Sequence, residues 1–246
     1  MAEDGLSLLG VNTHIGQYHI LQGVDFAVAQ GSLTMLLGRN GAGKTTCLRT
    51  IMGLWRASAG RILYGPTVHE QVELQKLETP AIAQLGIAYV PENMGLFAGL
   101  TVRENLVLAA RAGEPDAGRL EWIFGLFPAL KKFWSSAAGN LSGGQKQMLA
   151  IARAIVEPRK LLLVDEPTKG LAPAIVGNMI EAFRELKRTR TTMLVVEQNF
   201  AFAHALGDAC AVMDSGRIVH AGPMAALAGD TGLQTRLLGL SLASHQ

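Results

Sequence analysis

The stretch GRNGAGKTT, Gly38 to Thr46, constrains the fold of this chain more than any other. It fits the pattern G-x-x-x-x-G-K-[ST] through Gly38, Gly43, Lys44 and Thr45. Glycine reaches positive φ, and without a Cβ it leaves its N–H uncovered, so such a loop can wrap an anion. The pattern has this meaning only between a strand and a helix, and the flanks supply both. LTMLL stands before it and CLRTIMGL follows. A helix beginning there points its free N–H groups and positive dipole end at phosphate. Gly38, Arg39, Asn40, Gly41, Ala42, Gly43, Lys44, Thr45 and Thr46 are therefore candidates to hold a nucleotide. Lys44 would reach the β- and γ-phosphates, and the Thr45 hydroxyl would meet Mg²⁺. An ordinary glycine-rich turn before a helix is the plain alternative, and the flanks argue against it.

A second stretch, LLLVDEP, places Asp165 and Glu166 directly after four apolar residues. Two acids at the end of a core strand are an electrostatic cost unless something cationic meets them. In nucleotide hydrolases an acid so placed holds the Mg²⁺ shell, which suits Asp165. Glu166 is then poised to orient and deprotonate a water, since a glutamate near its reference pKa of ~4.3 is ionised at neutral pH. The alternative is a strand end fraying into solvent.

The rest of the pattern is alternating. LSLLGV, HILQGVDFAV and SLTMLL read as strands, with Val24, Phe26 and Val28 suiting a half-buried antiparallel one. From Glu92 to Glu157 the texture turns helical. Thr101 with Glu104 forms a capping-box pattern, and GRLEWIFGLFPAL has helical spacing broken at Pro128. Strands and helices then alternate again: KLLLV, a helix from about Pro173 to Lys187, TTMLVV, a helix from about Phe200, and ACAVMDSGRIVHAG. That alternation predicts a parallel sheet covered by helices. With 22 basic against 20 acidic residues, nothing argues for a nucleic-acid partner. The opening MAEDGLSLLG lacks the basic segment of a secretory signal, and no apolar run approaches the ~18–20 residues of a membrane span. Cys47 and Cys210 show no metal spacing, and a reduced, cytoplasmic chain is expected. Cys47 reads as an inert helical residue, with alkylation left open by its place beside the loop.

NLSGGQKQMLAIARAI, from Asn140, adds a third element. Ser142, Gly143 and Gly144 leave backbone N–H groups uncovered at a helix start, a second anion site. With the glycine-rich loop and LLLVDEP in this order, the chain resembles the ATP-binding subunits of ABC transporters over essentially its whole length. The resemblance implies an α/β fold with a P-loop NTPase (RecA-like) core, an N-terminal antiparallel β subdomain and an inserted helical subdomain. Residues 1–91 and 158–246 would form the core and 92–157 the helical part. It implies a dimer in which ATP lies between one subunit's Gly38–Thr46 loop and the other's Ser142, Gly143, Gly144 and Gln145. The cofactors are ATP and Mg²⁺, held through Thr45 and Asp165, with Glu92 as a further candidate. Glu166 would be the catalytic base and Gln198 the second catalytic residue.

Three departures narrow the resemblance. The family usually has glutamine where AYVPEN offers Glu92, Leu-Asp where EPTKGLAP offers Leu171-Ala172, and histidine where LVVEQNF offers Gln198. That trio is similar to the ATPases that energise branched-chain amino acid importers, with urea and amide importers close. The partners implied are membrane permease subunits, a second ABC ATPase and, indirectly, a solute-binding protein. The chain would then sit peripherally on the cytoplasmic face of the inner membrane. Many members stack adenine on an aromatic residue where Ile15 stands here, so stacking is lost or Tyr18 substitutes. Trp55, Trp122 and Trp134 read as packing or a partner surface. A regulatory, non-transport ATPase is the rival reading, and intact Lys44, Asp165 and Glu166 argue against one that does not hydrolyse ATP.

Overall fold

Strands that bury both faces need a cover on each side, and the sequence provides two different covers. In the computed structural model, which describes residues 4–65, 71–111 and 113–239, β3 (Leu33–Leu37), β7 (Leu161–Asp165) and β8 (Thr192–Glu197) are buried at every position. They lie in one six-stranded sheet with β6 (Ile87–Val90), β9 (Ala209–Asp214) and β10 (Arg217–Pro223), in the order β10-β9-β3-β8-β7-β6. All neighbours run parallel except the β9–β10 hairpin. Near-continuous apolar runs such as LTMLL and LLLVD are what a doubly covered parallel sheet requires.

The two faces feed two cores. Met35, Leu162, Val164, Met193 and Val195 pack with helices α6 (Gly143–Ile155), α7 (Pro173–Arg188) and α8 (Phe200–Leu206). Phe183 and Phe202 meet edge to face there, with ring centroids 5.5 Å apart. Leu36, Leu161, Leu163, Leu194 and Val196 face the other way, against α1 (Lys44–Ile51) and a second sheet. That sheet has four antiparallel strands in the order β2-β1-β4-β5: β1 (Asp4–Ile15), β2 (Tyr18–Ala29), β4 (Ala57–Tyr64) and β5 (Val72–Glu73). Val24, Phe26 and Val28 are buried and their neighbours Asp25 and Ala27 exposed, so the expected alternation holds.

Between β6 and β7 the chain is helical, with α3 (Val102–Val107), α4 (Ala117–Leu126), α5 (Pro128–Lys132) and then α6. Thr101 caps α3 with the reciprocal pairing to Glu104 that the sequence predicts, and Pro128 opens α5 after α4 ends. Short helices α2 (Thr79–Gln84), α9 (Met224–Gly229) and α10 (Thr231–Leu238) complete the described chain. Among the described residues, no helix is long and apolar enough to cross a membrane.

Because β3, β8 and β7 are adjacent and parallel, their carboxyl ends emerge side by side. Leu37 pairs with Glu197, and Asp165 with Val196. The glycine-rich loop, the acids at the end of β7 and the residues after β8 therefore meet at one edge, where open α/β sheets bind ligands.

The segment leading into α3 is fastened by a residue that periodicity does not reveal. Asn105 is fully buried; its amide donates to the Phe97, Leu100 and Thr101 carbonyls, and its carbonyl accepts from the Phe97 N–H. Asn105→Ala removes all four bonds; the three carbonyls keep backbone donors, and the Phe97 N–H is left without a partner. We expect a loss of roughly 1–3 kcal/mol in stability by chemical denaturation, with an unchanged denaturant slope.

Candidate functional site

Gly38 and Gly43 adopt φ of 149° and 110°, and Gly41 has φ 79°. At Gly38 a Cβ would lie 2.2 Å from the Met213 carbonyl oxygen, so only glycine lets the loop pass the end of β9. Gly43 then N-caps α1 without a side-chain cap, and no acid stands in the first turn. The helix start is thus left open for an anion. Lys44 is 4% exposed, and its Nζ donates to the Gly38 and Arg39 carbonyls at 2.9 and 3.0 Å. Burial pushes its ammonium below the usual lysine range, opposed by Glu166, Asp165 and Glu197. A phosphate among these groups would replace the hydration that burial removed.

The acids stand opposite. Thr45 Oγ1 donates to Asp165 Oδ1 at 3.1 Å, and the Tyr89 hydroxyl donates to Oδ2 at 3.3 Å. Asp165 is fully buried, which raises its carboxyl above the usual range. Desolvation, with the Asp165 charge second, pushes the Tyr89 hydroxyl up to about 12. Thr45 and Asp165 present only hard oxygen atoms, the donor type that Mg²⁺ takes.

Glu166 is held in left-handed backbone, φ 47°, by its N–H donating to the Val196 carbonyl at 2.9 Å. Such strain costs of order 1–3 kcal/mol and concentrates at functional positions. Glu166 Oε1 accepts from Gln198 Nε2 and lies 3.8 Å from Lys44 Nζ. Gln198 Nε2 also donates to Asn40 Oδ1 at 2.7 Å, which joins the glycine-rich loop, the end of β7 and the end of β8 in one network. Glu92 makes no hydrogen bond to Thr45 or Asp165 among the described contacts, but its charge helps to raise the Asp165 carboxyl. Glu92 Oε1 accepts from Lys169 Nζ at 2.6 Å.

Glu197 is the residue that sequence reasoning passed over. It is 2% exposed, and four donors converge on it: the Thr168 N–H and hydroxyl on Oε1, the Gln198 and Asn199 N–H groups on Oε2. Burial raises its carboxyl above the usual range, while these donors pull it back. Glu197 thus fixes the backbone on either side of the Glu166–Gln198 contact. The available signal was an acid ending a strand of apolar and β-branched residues, the same pattern that drew notice in LLLVDEP.

The family model for ABC transporters matches residues 21–169, more than half of the chain and all of this site except the end of β8. The chain belongs to the ABC transporter family. Among curated relatives, the high-affinity branched-chain amino acid transport ATP-binding protein BraG of Pseudomonas aeruginosa is 39% identical, over 95% of this chain and 99% of its own. The branched-chain amino acid transport ATP-binding protein LivF of Archaeoglobus fulgidus, itself named as probable, is 34% identical over 88% and 91%. Among solved structures, an ADP-bound ATP-binding cassette of an ABC transporter superposes with TM-score 0.78 at 25% identity, covering 98% of this chain and all of that one. This cassette is an ATP hydrolase with the ABC ATPase fold.

In the ABC cassette, the remaining predicted residues lie elsewhere. Ser142 and Gly143 are exposed at the start of α6, and Ser142 and Gln145 cap that helix reciprocally. Gly144 is buried because a Cβ there would meet Ile175 Cγ2 of α7 at 2.8 Å. Among the described residues, no hydrogen bond or ion pair links Ser142–Gln145 to Gly38–Thr46. Tyr18 is 66% exposed and pairs across the β1–β2 hairpin with Ile15, while His14 stacks on His19. Ala172 is exposed before α7. Cys47 is fully buried with its thiol pushed up to about 12, so the opening for alkylation is closed.

Glu197→Gln tests the carboxylate directly. An amide nitrogen must face one of the two donor pairs, which leaves that pair without an acceptor. The variant should lose about 2 kcal/mol or more of stability by thermal or urea melting. Glu197→Asp, which keeps the charge, should lose less.

Proposed function

We propose that this cassette energises uptake of branched-chain amino acids through membrane permease partners. Its ATP would be bound between the Gly38–Thr46 loop of one cassette and Ser142–Gln145 of a second. The carrying observation is the network Asn40–Gln198–Glu166–Lys44, which gathers the loop and both strand ends around one position for a γ-phosphate.

In this reading Lys44 leaves the Gly38 and Arg39 carbonyls for the β- and γ-phosphate oxygens. Loop N–H groups and the open start of α1 bind the same charge. Thr45 and Asp165 would hold Mg²⁺, which would supply positive charge to offset that of the phosphates. Glu92, a further candidate for the cation in this reading, is engaged by Lys169. Glu166 accepts the proton of a water as its oxygen bonds to the γ-phosphorus, and the β–γ bridging oxygen departs with ADP. Gln198 positions the Glu166 carboxylate and donates toward phosphate, as a neutral amide rather than a titrating histidine. Exposure of Ser142 and Gly143 away from the loop supports a role in trans, on a neighbour's nucleotide.

A groove of about 640 Å³, lined by residues including Met52, Trp55, Tyr89, Met94 and Arg153, opens beside the segment after β6. The side chains of Leu54, Phe97 and Leu108 are about half exposed nearby in sequence. Apolar side chains so placed support docking of a permease here, with residues 92–157 as the part that moves against the core. The solute rests on the relatives' transport systems together with Glu92, Ala172 and Gln198. Peripheral attachment at the cytoplasmic face of the inner membrane follows from the permease partner.

Three variants separate the roles by ATP binding and steady-state hydrolysis. Lys44→Ala should weaken ATP binding. Glu166→Gln should bind ATP normally but lose roughly 10²–10⁴ in rate. Gln198→Ala should lose about tenfold, corresponding to ~1.4 kcal/mol. Near-parental turnover by Glu166→Gln would remove it as the base. Separately, Phe97→Glu should abolish leucine uptake by the assembled transporter while basal hydrolysis stays near the parent; equal loss of both would contradict docking at this segment.

A further inference from the structure

Lys169 follows the acids at the end of β7, in a turn closed by its N–H donating to the Glu166 carbonyl at 3.2 Å. Its Nζ lies 2.6 Å from Glu92 Oε1 and 3.2 Å from Glu166 Oε2. The two carboxylates come from different parts of the chain. Glu92 begins the segment that leaves β6 toward the helices, and Glu166 leaves the central sheet. One ammonium therefore joins the segment to the base.

The consequence falls on Glu166. Its Oε1 already accepts from Gln198, while its Oε2, a buried oxygen with no hydrogen-bond partner, has the Lys169 ammonium 3.2 Å away as its ion-pair partner. The Glu166 side chain is 7% exposed, whereas those of Lys169 and Glu92 are 53% and 42% exposed. Ion pairs as open as Lys169–Glu92 add little to folding, so the fold does not depend on this tie. Remove the ammonium, however, and two like charges close enough to share it repel. The segment that starts at Glu92 runs to Phe97, whose backbone is clamped by Asn105 and whose ring lies 5.1 Å from the Arg153 guanidinium. A displacement of this segment would thus act on Lys169 and, through it, on Glu166 Oε2.

We propose that Lys169 is a positioning residue for hydrolysis: it sets the Glu166 carboxylate through its ion pair with Glu92, so that the rate follows the position of the segment after β6. This inference rests on Glu166 being the base. Lys169 makes no hydrogen bond or ion pair with the glycine-rich loop or Asp165 in the described contacts, though its charge is felt at Lys44; its action on the water is through Glu166.

The test uses the full chain carrying Lys169→Met, Lys169→Arg, Glu92→Ala, the double variant Lys169→Met with Glu92→Ala, and Glu166→Gln as reference. Lys169→Met is expected to lower kcat roughly five- to tenfold while KM for ATP stays within about twofold. Lys169→Arg should recover most of the rate, and Glu92→Ala should match Lys169→Met. The double variant should be no slower than either single, because the two residues act as one unit. In nucleotide-free protein, amide exchange over Asn93–Phe97 should rise in Lys169→Met and Glu92→Ala but not in Lys169→Arg, a readout independent of turnover. Multiplying effects in the double variant, an unchanged kcat in Lys169→Met, or unchanged exchange would each overturn the inference. Glu166→Gln at the parental rate would overturn the base assignment and this inference with it. An inactive Glu166→Gln beside a fully active Lys169→Met would overturn this inference alone.

Discussion

The ends of β3, β8 and β7 cannot be separated without opening both cores, because each strand is buried on its two faces. Whatever follows these strands is therefore delivered to one place with the rigidity of the sheet. After β3 comes a loop that only glycine can fit past β9; β7 ends in Asp165, followed by Glu166; β8 ends in Glu197, followed by Gln198. A site built on strand ends is held more tightly than one built on loops alone, and catalysis by positioning needs that tolerance.

The same packing creates an electrostatic problem that organises the rest. Asp165, Glu166 and Glu197 are all less than a tenth exposed, and each ionised carboxylate pays for burial unless it is met. Each is met differently. Asp165 has two hydroxyl donors; Glu197 has a backbone N–H and a hydroxyl on one oxygen and two backbone N–H groups on the other; Glu166 has the Gln198 amide on one oxygen and the Lys169 ammonium as ion-pair partner of the other. Glu197 is satisfied entirely from within the fold, which fits a structural anchor. Asp165 and Glu166 face Lys44 and the loop, where in the proposed function a polyphosphate and a cation would complete the balance.

How much of this could be read beforehand depended on range in sequence. The glycine-rich loop, the DE pair and the Thr101–Glu104 cap are local patterns, and each appears where its spacing predicts. Alternating apolar runs likewise foretold the parallel sheet and the antiparallel strands. Asn105, Glu197 and Lys169 were not legible in this way. Glu92 lies 77 residues from Lys169 and Thr168 lies 29 from Glu197, while Asn105, whose partners are near, is a single polar residue with no periodicity to mark it. Gly144 is a mixed case. Its helix-start role was visible in LSGGQ, but its contact with Ile175 is a packing fact across two helices.

The central claim is that one chain supplies the loop and strand ends while a second supplies Ser142–Gln145 to the same nucleotide. Sedimentation of the Glu166→Gln chain, with and without ATP and Mg²⁺, tests it most directly. The account predicts a monomer without nucleotide, a dimer with ATP, and no dimer when Ser142→Arg is added at the exposed start of α6. A chain that binds ATP yet remains monomeric, or a dimer indifferent to Ser142→Arg, would contradict it.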